Sequence, residues 1–208
     1  MSPAAFESGC DPLSDFQETF RRYFGPGPTG TEASTLVRVD RFVTPLGPML
    51  IAADDTRLGL LEFVDRRRLP NQVKRLRTRL NAAFEPGRND LIAQTELEIG
   101  EYFAGKRRDF EIPLVAPGTR FQETVWEALT RIPYGETMSY GALATAVGRP
   151  GAVRAVGTSS GLNALAIVVP CHRVVGADGK LVGYAGGLWR KKRLLELEEI
   201  VVSGKPVA

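Results

Sequence analysis

Apolar positions change their spacing several times along this chain, and each change predicts an element. From Leu36 to Val43, Met49 to Ala53 and Leu58 to Val64 they form short runs, separated by Thr44-Pro45-Leu46-Gly47-Pro48 and Asp54-Asp55. Runs of that length bounded by Pro, Gly and Asp predict three consecutive strands of an antiparallel meander. The spacing then becomes helical: Val73, Leu76, Leu80 and Phe84 share one face, while Lys74, Arg75, Arg77 and Arg79 between them read as its solvated side. A second helix is predicted from Asn89 as N-cap to Ala104, with Ile92, Ile99 and Phe103 on one face. Asp109 to Val115 reads as a closing strand.

Ala116-Pro117-Gly118-Thr119 marks the domain boundary. Beyond it, Phe121, Val125, Leu129 and Ile132 define an amphipathic helix stopped by Pro133-Tyr134-Gly135. Ser139 caps a short helix reaching Val147, Gly148-Arg149-Pro150-Gly151 turns the chain, and Ala152 to Ser159 forms a second. Two short helices joined by a glycine-containing turn predict a helix-turn-helix. The β-branched run from Ile167 predicts a buried strand leading into Pro170-Cys171-His172-Arg173, followed by a hairpin tip at Ala177 to Lys180 and a last helix from Leu188 to Ile200. Residues 1–34 hold five acids against Arg21 and Arg22 and little periodicity beyond a short helix at Leu13 to Phe24, so they are expected to be a poorly ordered extension. The expected organisation is 1–34 extension, 35–115 α/β domain, 116–119 linker, 120–201 mostly helical domain and 202–208 tail.

Composition narrows the class. A content of 43% hydrophobic and 25% charged residues excludes disordered and fibrous chains, and no apolar run approaches a membrane span. The N-terminus lacks the basic-then-apolar order of a secretory signal, so a cytoplasmic protein with no membrane partner is expected. Two cysteines and one histidine cannot make a four-ligand zinc site, and no metal is expected. The net charge of +3 is unevenly spread: between residues 139 and 193, Arg149, Arg154, Arg173, Lys180, Arg190, Lys191, Lys192 and Arg193 face the single acid Asp178. That half suits a polyanion. Within it, Arg190 to Arg193 fits a phosphate contact or a solvated helix face equally well.

The chain's only histidine, His172, adjoins Cys171. A thiol reacts as its thiolate, and His172 is the obvious base. On an extended strand adjacent side chains point apart, so a bend after Pro170 or a bridging water must connect the pair. A carboxylate behind the imidazole would come from Glu196, Glu198 or Glu199. A bare Cys-His dipeptide is more often a small buried hydrophobe beside a satisfied core histidine.

The wider motif decides against that plainer reading. Pro170-Cys171-His172-Arg173-Val174, followed by Gly183-Tyr184-Ala185-Gly186-Gly187 and preceded by the paired helices, resembles the O6-alkylguanine-DNA alkyltransferases. The resemblance runs from Arg38 to Glu199 and includes Thr44-Pro45-Leu46-Gly47 at the entry to the second strand. It implies an α+β fold, with an N-terminal ribonuclease-H-like α/β domain followed by a mostly helical, helix-turn-helix (winged-helix-like) active-site domain. It implies a cofactor-free suicide reaction on double-stranded DNA: the alkyl group of O6-alkylguanine, and less efficiently of O4-alkylthymine, passes to Cys171. His172 would be the base acting through water, and Glu198 the carboxylate that orients it. Asn163 would be the hinge asparagine, and Tyr140 the residue that turns the nucleotide out and donates a proton. Arg154 would fill the vacated place in the stack, with Ala152, Gly157 and Arg173 also on DNA. Val174, Tyr184, Ala185 and Gly186 would line the base pocket. Two positions depart from the family pattern: Ala164 replaces a proline after the hinge asparagine, and Ala185 a serine in the pocket. A monomer in solution is expected, with cooperativity on DNA left open. The rival readings are a non-catalytic damage sensor, which would lack the cysteine, and a cysteine hydrolase, which would need a substrate groove.

Overall fold

A computed structural model of the chain describes residues 12–25, 35–205 and 207. The meander forms as the spacing predicts: β1 (Thr35–Thr44), β2 (Gly47–Ala53) and β3 (Leu58–Phe63) pair antiparallel in sequence. Helix α2 (Leu69–Leu80) then crosses over to β4 (Ala82–Pro86), which joins β1 in parallel and gives the order β3-β2-β1-β4. Phe84 is therefore a strand residue and not the end of the helix. Asn81 stops α2 in the left-handed conformation, φ 47°, which asparagine tolerates through its short polar side chain. The four-residue step from Leu80 to Phe84 fits both periods, which is why the pattern misleads there.

The sheet is buried on both faces. One face carries Val37, Val39, Leu50, Ala52 and Leu60 against Leu69, Val73 and Leu76 of α2. Helix α1 (Pro12–Phe24) packs into the same layer, with Phe20 and Phe24 buried and the Phe24 ring 5.0 Å from that of Phe84. Arg77 Nη2 donates to the Phe24 carbonyl at its end. The short helix expected at Leu13 to Phe24 forms, but it is not part of a poorly ordered extension: Phe16, Phe20 and Phe24, four apart, make a stripe that packs on the sheet, with Phe16 half-buried. Residues 1–11 and 26–34 of that predicted extension lie outside the described residues.

The other face carries Met49, Ile51, Leu58, Leu61 and Phe63, and it packs against the C-terminal half without a break. Helix α3 (Asp90–Phe103) begins as predicted, the Asn89 side chain accepting from Ile92 N–H at 3.0 Å. The expected strand 109–115 reduces to a bridge at Leu58 and Leu114, because Pro113 has no N–H with which to extend a ladder. Helix α4 (Arg120–Thr130) starts in a capping box formed by Thr119 and Gln122. β5 (Met138–Ser139) leads into α5 (Tyr140–Ala146), and α6 (Val153–Ser160) completes the helix-turn-helix.

The expected strand at Ile167 is absent. Ile167 has φ 73°, and the segment is a compact turn in which only Leu165 bridges to Leu61. Burial from every side satisfies this β-branched run without a ladder. The chain bends after Pro170 into a 3₁₀ turn, Cys171–Arg173, then forms β6 (Val174–Val175), parallel to β5. Helix α7 (Leu188–Val202) closes the fold. No helix among the described residues is long and apolar enough to cross a membrane.

Candidate functional site

Buried polar groups converge on Glu198, which enters from α7 with no exposure. Its Oε1 lies 2.8 Å from His172 Nε2 and accepts from the Tyr102 hydroxyl at 2.8 Å. Arg173 Nε donates to Oε2 at 3.0 Å, Arg173 Nη2 to Oε1 at 3.1 Å, and the Gly135 N–H to Oε2 at 3.0 Å. Burial pushes this carboxyl up, but the hydrogen bond and charge of His172 and the Arg173 guanidinium outweigh it and hold the pKa at about 2. Glu198 is thus a fixed carboxylate.

His172 is fully buried, and burial pushes its pKa below the ordinary imidazole value against the pull of Glu198. At neutral pH the ring carries one proton. Because a carboxylate only accepts, that proton belongs on Nε2, and the lone pair is left on Nδ1. His172 Nδ1 is buried and has no hydrogen-bond partner among the described residues. A free basic nitrogen is thereby oriented, one residue from the thiol.

Cys171 is half-buried at the start of the 3₁₀ turn. Asn163 Nδ2 donates to its sulfur at 3.3 Å and to the Val169 carbonyl at 2.8 Å, while Asn163 Oδ1 accepts from Leu165 N–H at 2.9 Å. Burial pushes the thiol up; the Asn163 amide, Arg66 and Lys191 pull the other way without prevailing. The resting sulfur is a thiol, and its proton must be taken by a base as it reacts.

The sulfur opens onto a pocket of about 590 Å³. Tyr140, Gly157, Gly183, Tyr184 and Ala185 line it together with Arg66, Arg67 and Arg68 from the loop into α2 and Asn71 from the first turn of that helix. Tyr140, at the start of α5, donates its hydroxyl to the Gly183 carbonyl at 3.1 Å. Burial raises its pKa above the usual 10, so it remains a proton donor. Arg154 is exposed on α6, one helical turn before the pocket residue Gly157, and Ala152 is the half-buried N-cap of that helix.

Three placements differ from the expectation. Arg173 does not face DNA: it is buried, holds Glu198 and donates to the Ile132 carbonyl at 2.6 Å. Val174 and Gly186 do not line the pocket. Val174 is fully buried, its carbonyl taken by Lys191 Nζ, and a Cβ on Gly186 would lie 2.8 Å from the Tyr184 ring, so this glycine seats Tyr184 from behind. The basic run at the start of α7 is also divided. Arg190 is clamped on Asp65 at 2.9 Å and stacked on Phe63, and Lys191 is fully buried, which leaves Lys192 and Arg193 outward. Sequence reasoning missed the pocket arginines, Arg66 to Arg68, and Tyr102. The only signal for the former was a basic triplet lying between a strand and a helix, outside either period.

A helix-turn-helix beside a basic pocket, with one oriented thiol at its floor, defines a thiol acceptor protein built to meet a polyanion. The chain belongs to the 6-O-methylguanine DNA methyltransferase family, whose ribonuclease-like domain matches residues 40–116 and whose DNA binding domain matches residues 120–200. Among similar proteins, the methylated-DNA--protein-cysteine methyltransferase of Mycobacterium leprae is 47% identical over 156 residues, 75% of this chain and 88% of that one. The crystal structure of the Mycobacterium tuberculosis O6-methylguanine methyltransferase superposes with a TM-score of 0.67 at 42% identity, covering 78% of this chain and 93% of that one. A structure of the Mycobacterium tuberculosis protein in complex with DNA gives a TM-score of 0.67 at 41% identity, covering 82% of this chain and 95% of that one.

Proposed function

We propose that this protein repairs duplex DNA by taking the alkyl group of O6-alkylguanine, and less efficiently of O4-alkylthymine, onto Cys171 in a single irreversible step. The observation that carries this is the Cys171 thiol and Tyr140 lining one pocket, with the buried Glu198–His172 pair and its free Nδ1 adjoining the thiol in the chain. Family membership supports DNA as the partner.

A base stacked in a duplex is closed to in-line attack by a protein sulfur, so the nucleotide turns out into the pocket at a cost on the order of a few kcal/mol. Arg154, exposed on α6, fills the gap, with Ala152 and Gly157 of the same helix facing the backbone. His172 Nδ1 takes the thiol proton through a water, and Glu198 stabilises the imidazolium that forms. The sulfur attacks the alkyl carbon; the S–C bond forms as the C–O6 bond breaks. Guanine leaves as its anion and takes a proton from the Tyr140 hydroxyl. The product is a thioether, which has no carbonyl for water to attack. One molecule therefore repairs one base. The protein is taken to act as a monomer, in a compartment reducing enough to keep Cys171 a thiol.

Incubation with a duplex carrying radiolabelled O6-methylguanine tests this reading. One label per protein on the peptide containing Cys171, lost in Cys171→Ala, is expected. Binding without transfer would make the protein a damage sensor, and repeated turnover would make it a hydrolase.

A further inference from the structure

The turn after α6 is held by three side chains that belong to the N-terminal domain. Arg66 donates from Nη2 to the Gly161 carbonyl at 2.6 Å and from Nη1 to the Asn163 carbonyl at 2.6 Å. Gln72 Nε2 donates to the Leu162 carbonyl at 2.9 Å and to that of Asn163 at 3.3 Å. Arg75 Nη2 donates to the Leu162 carbonyl at 2.9 Å. Arg66 and Gln72 are buried, and Arg66 is ion-paired with Glu62 at the end of β3, so the grip is anchored in the sheet. Three consecutive carbonyls are thus fixed from outside their own domain. The residue at the end of that turn is Asn163, whose amide reaches Cys171 Sγ at 3.3 Å.

Position 164 gives this grip a purpose. A proline there would lock φ and stiffen the turn. Ala164 leaves φ unlocked, although its carbonyl accepts from the Leu61 N–H of β3 at 2.9 Å. The geometry points to Arg66, Gln72 and Arg75 as positioning residues for alkyl transfer: a clamp that fixes the Asn163 turn in place of the proline and so sets the Asn163–Cys171 contact. An amide donor held on sulfur favours the thiolate over the thiol, so a slack turn costs reactivity at the nucleophile while leaving the DNA-facing surface intact. The inference rests on the function proposed above and adds to it a reactive role for the N-terminal domain.

Gln72 and Arg75 stand off the pocket lining, which makes them the residues to change. In the full chain, Gln72→Ala with Arg75→Ala is expected to lower the maximal rate of methyl transfer from O6-methylguanine duplex about tenfold, with the half-saturating duplex concentration unchanged. Without DNA, the pH at which Cys171 becomes reactive to iodoacetamide moves upward. Adding Ala164→Pro to the pair recovers most of both losses, which restored packing alone would not do. If circular dichroism shows the pair unfolded, Gln72→Met alone replaces it, with a loss of about threefold expected. Parental rate and parental thiol titration overturn the clamp, as does a loss that Ala164→Pro leaves untouched. Should the parent itself fail to take methyl from DNA, the proposed function falls, and the iodoacetamide titrations still decide the clamp.

Discussion

At the scale of residues, the site depends on one buried carboxylate doing several jobs at once. Glu198 neutralises Arg173, orients His172 and accepts from Tyr102 and Gly135. Removing its charge leaves Arg173 buried and unpaired, so Glu198→Gln is expected to lower stability by about 3 kcal/mol in urea denaturation and to slow transfer as well. A variant of unchanged stability would show the ion pair to be dispensable. Acid should weaken the fold through the same pair. Both His172 and Glu198 have folded pKa values below their unfolded ones, so the unfolded chain binds more protons and stability falls with pH. The His172 contribution is lost on descent below its ordinary value of 6.5, and that of Glu198 between its ordinary 4.5 and about 2. Denaturation midpoints at pH 7 and pH 5 should therefore separate in the parent and converge in His172→Gln. The pocket makes a third demand at this scale. A methyl at Gly186 meets the Tyr184 ring at 2.8 Å, so Gly186→Ala is expected to displace that ring and slow transfer while the protein stays folded, read by single-turnover kinetics.

At the scale of elements, the structure agrees with the sequence where one period ran long enough to exclude another. The meander, α3, α4 and the helix-turn-helix follow the apolar spacing, and the caps expected at Asn89 and Ser139 form, with a further one at Thr119. Short apolar runs misled. Ile167 to Val169 reads as a strand and is a turn, since burial on all sides removes the distinction between the two. Cys171 and His172 were legible through the motif around them. Asn163 was legible as the hinge through the same resemblance, but its contact with the Cys171 sulfur was not, since it crosses a fold in the chain that no local pattern encodes. Nor could sequence show that Arg173, in a basic stretch, turns inward to Glu198. Helix α1 is the clearest gain of tertiary information, because its composition resembled a solvated tail while its three phenylalanines matched a face of the sheet. Phe24→Ala, which would empty the space between Phe20 and Phe84, is expected to cost about 3 kcal/mol in chemical denaturation. A change of less than about 0.5 kcal/mol would mean that α1 does not belong to the core.

At the scale of the whole molecule, one apolar core runs from Phe42 of β1 to Leu194 of α7, so the two family domains do not act as separate bodies. The N-terminal sheet supports the site twice: its layer packs beneath the Leu165 to Val169 turn, and its loop into α2 supplies the arginines that line the pocket. Arg154, exposed on α6, is left for a duplex backbone, whereas Lys192 and Arg193 of α7 pair with Glu196. Affinity for duplex DNA should fall as salt rises, since phosphate contacts release counterions, and an affinity indifferent to salt would contradict this. Cys171 is expected to accept one alkyl group and keep it. Intact-mass measurement after incubation with excess O6-methylguanine duplex tests it most directly: every molecule should gain the mass of a single methyl, located on Cys171, and repair should stop there. Continued repair by protein of unchanged mass would mean that Cys171 is not the final alkyl acceptor.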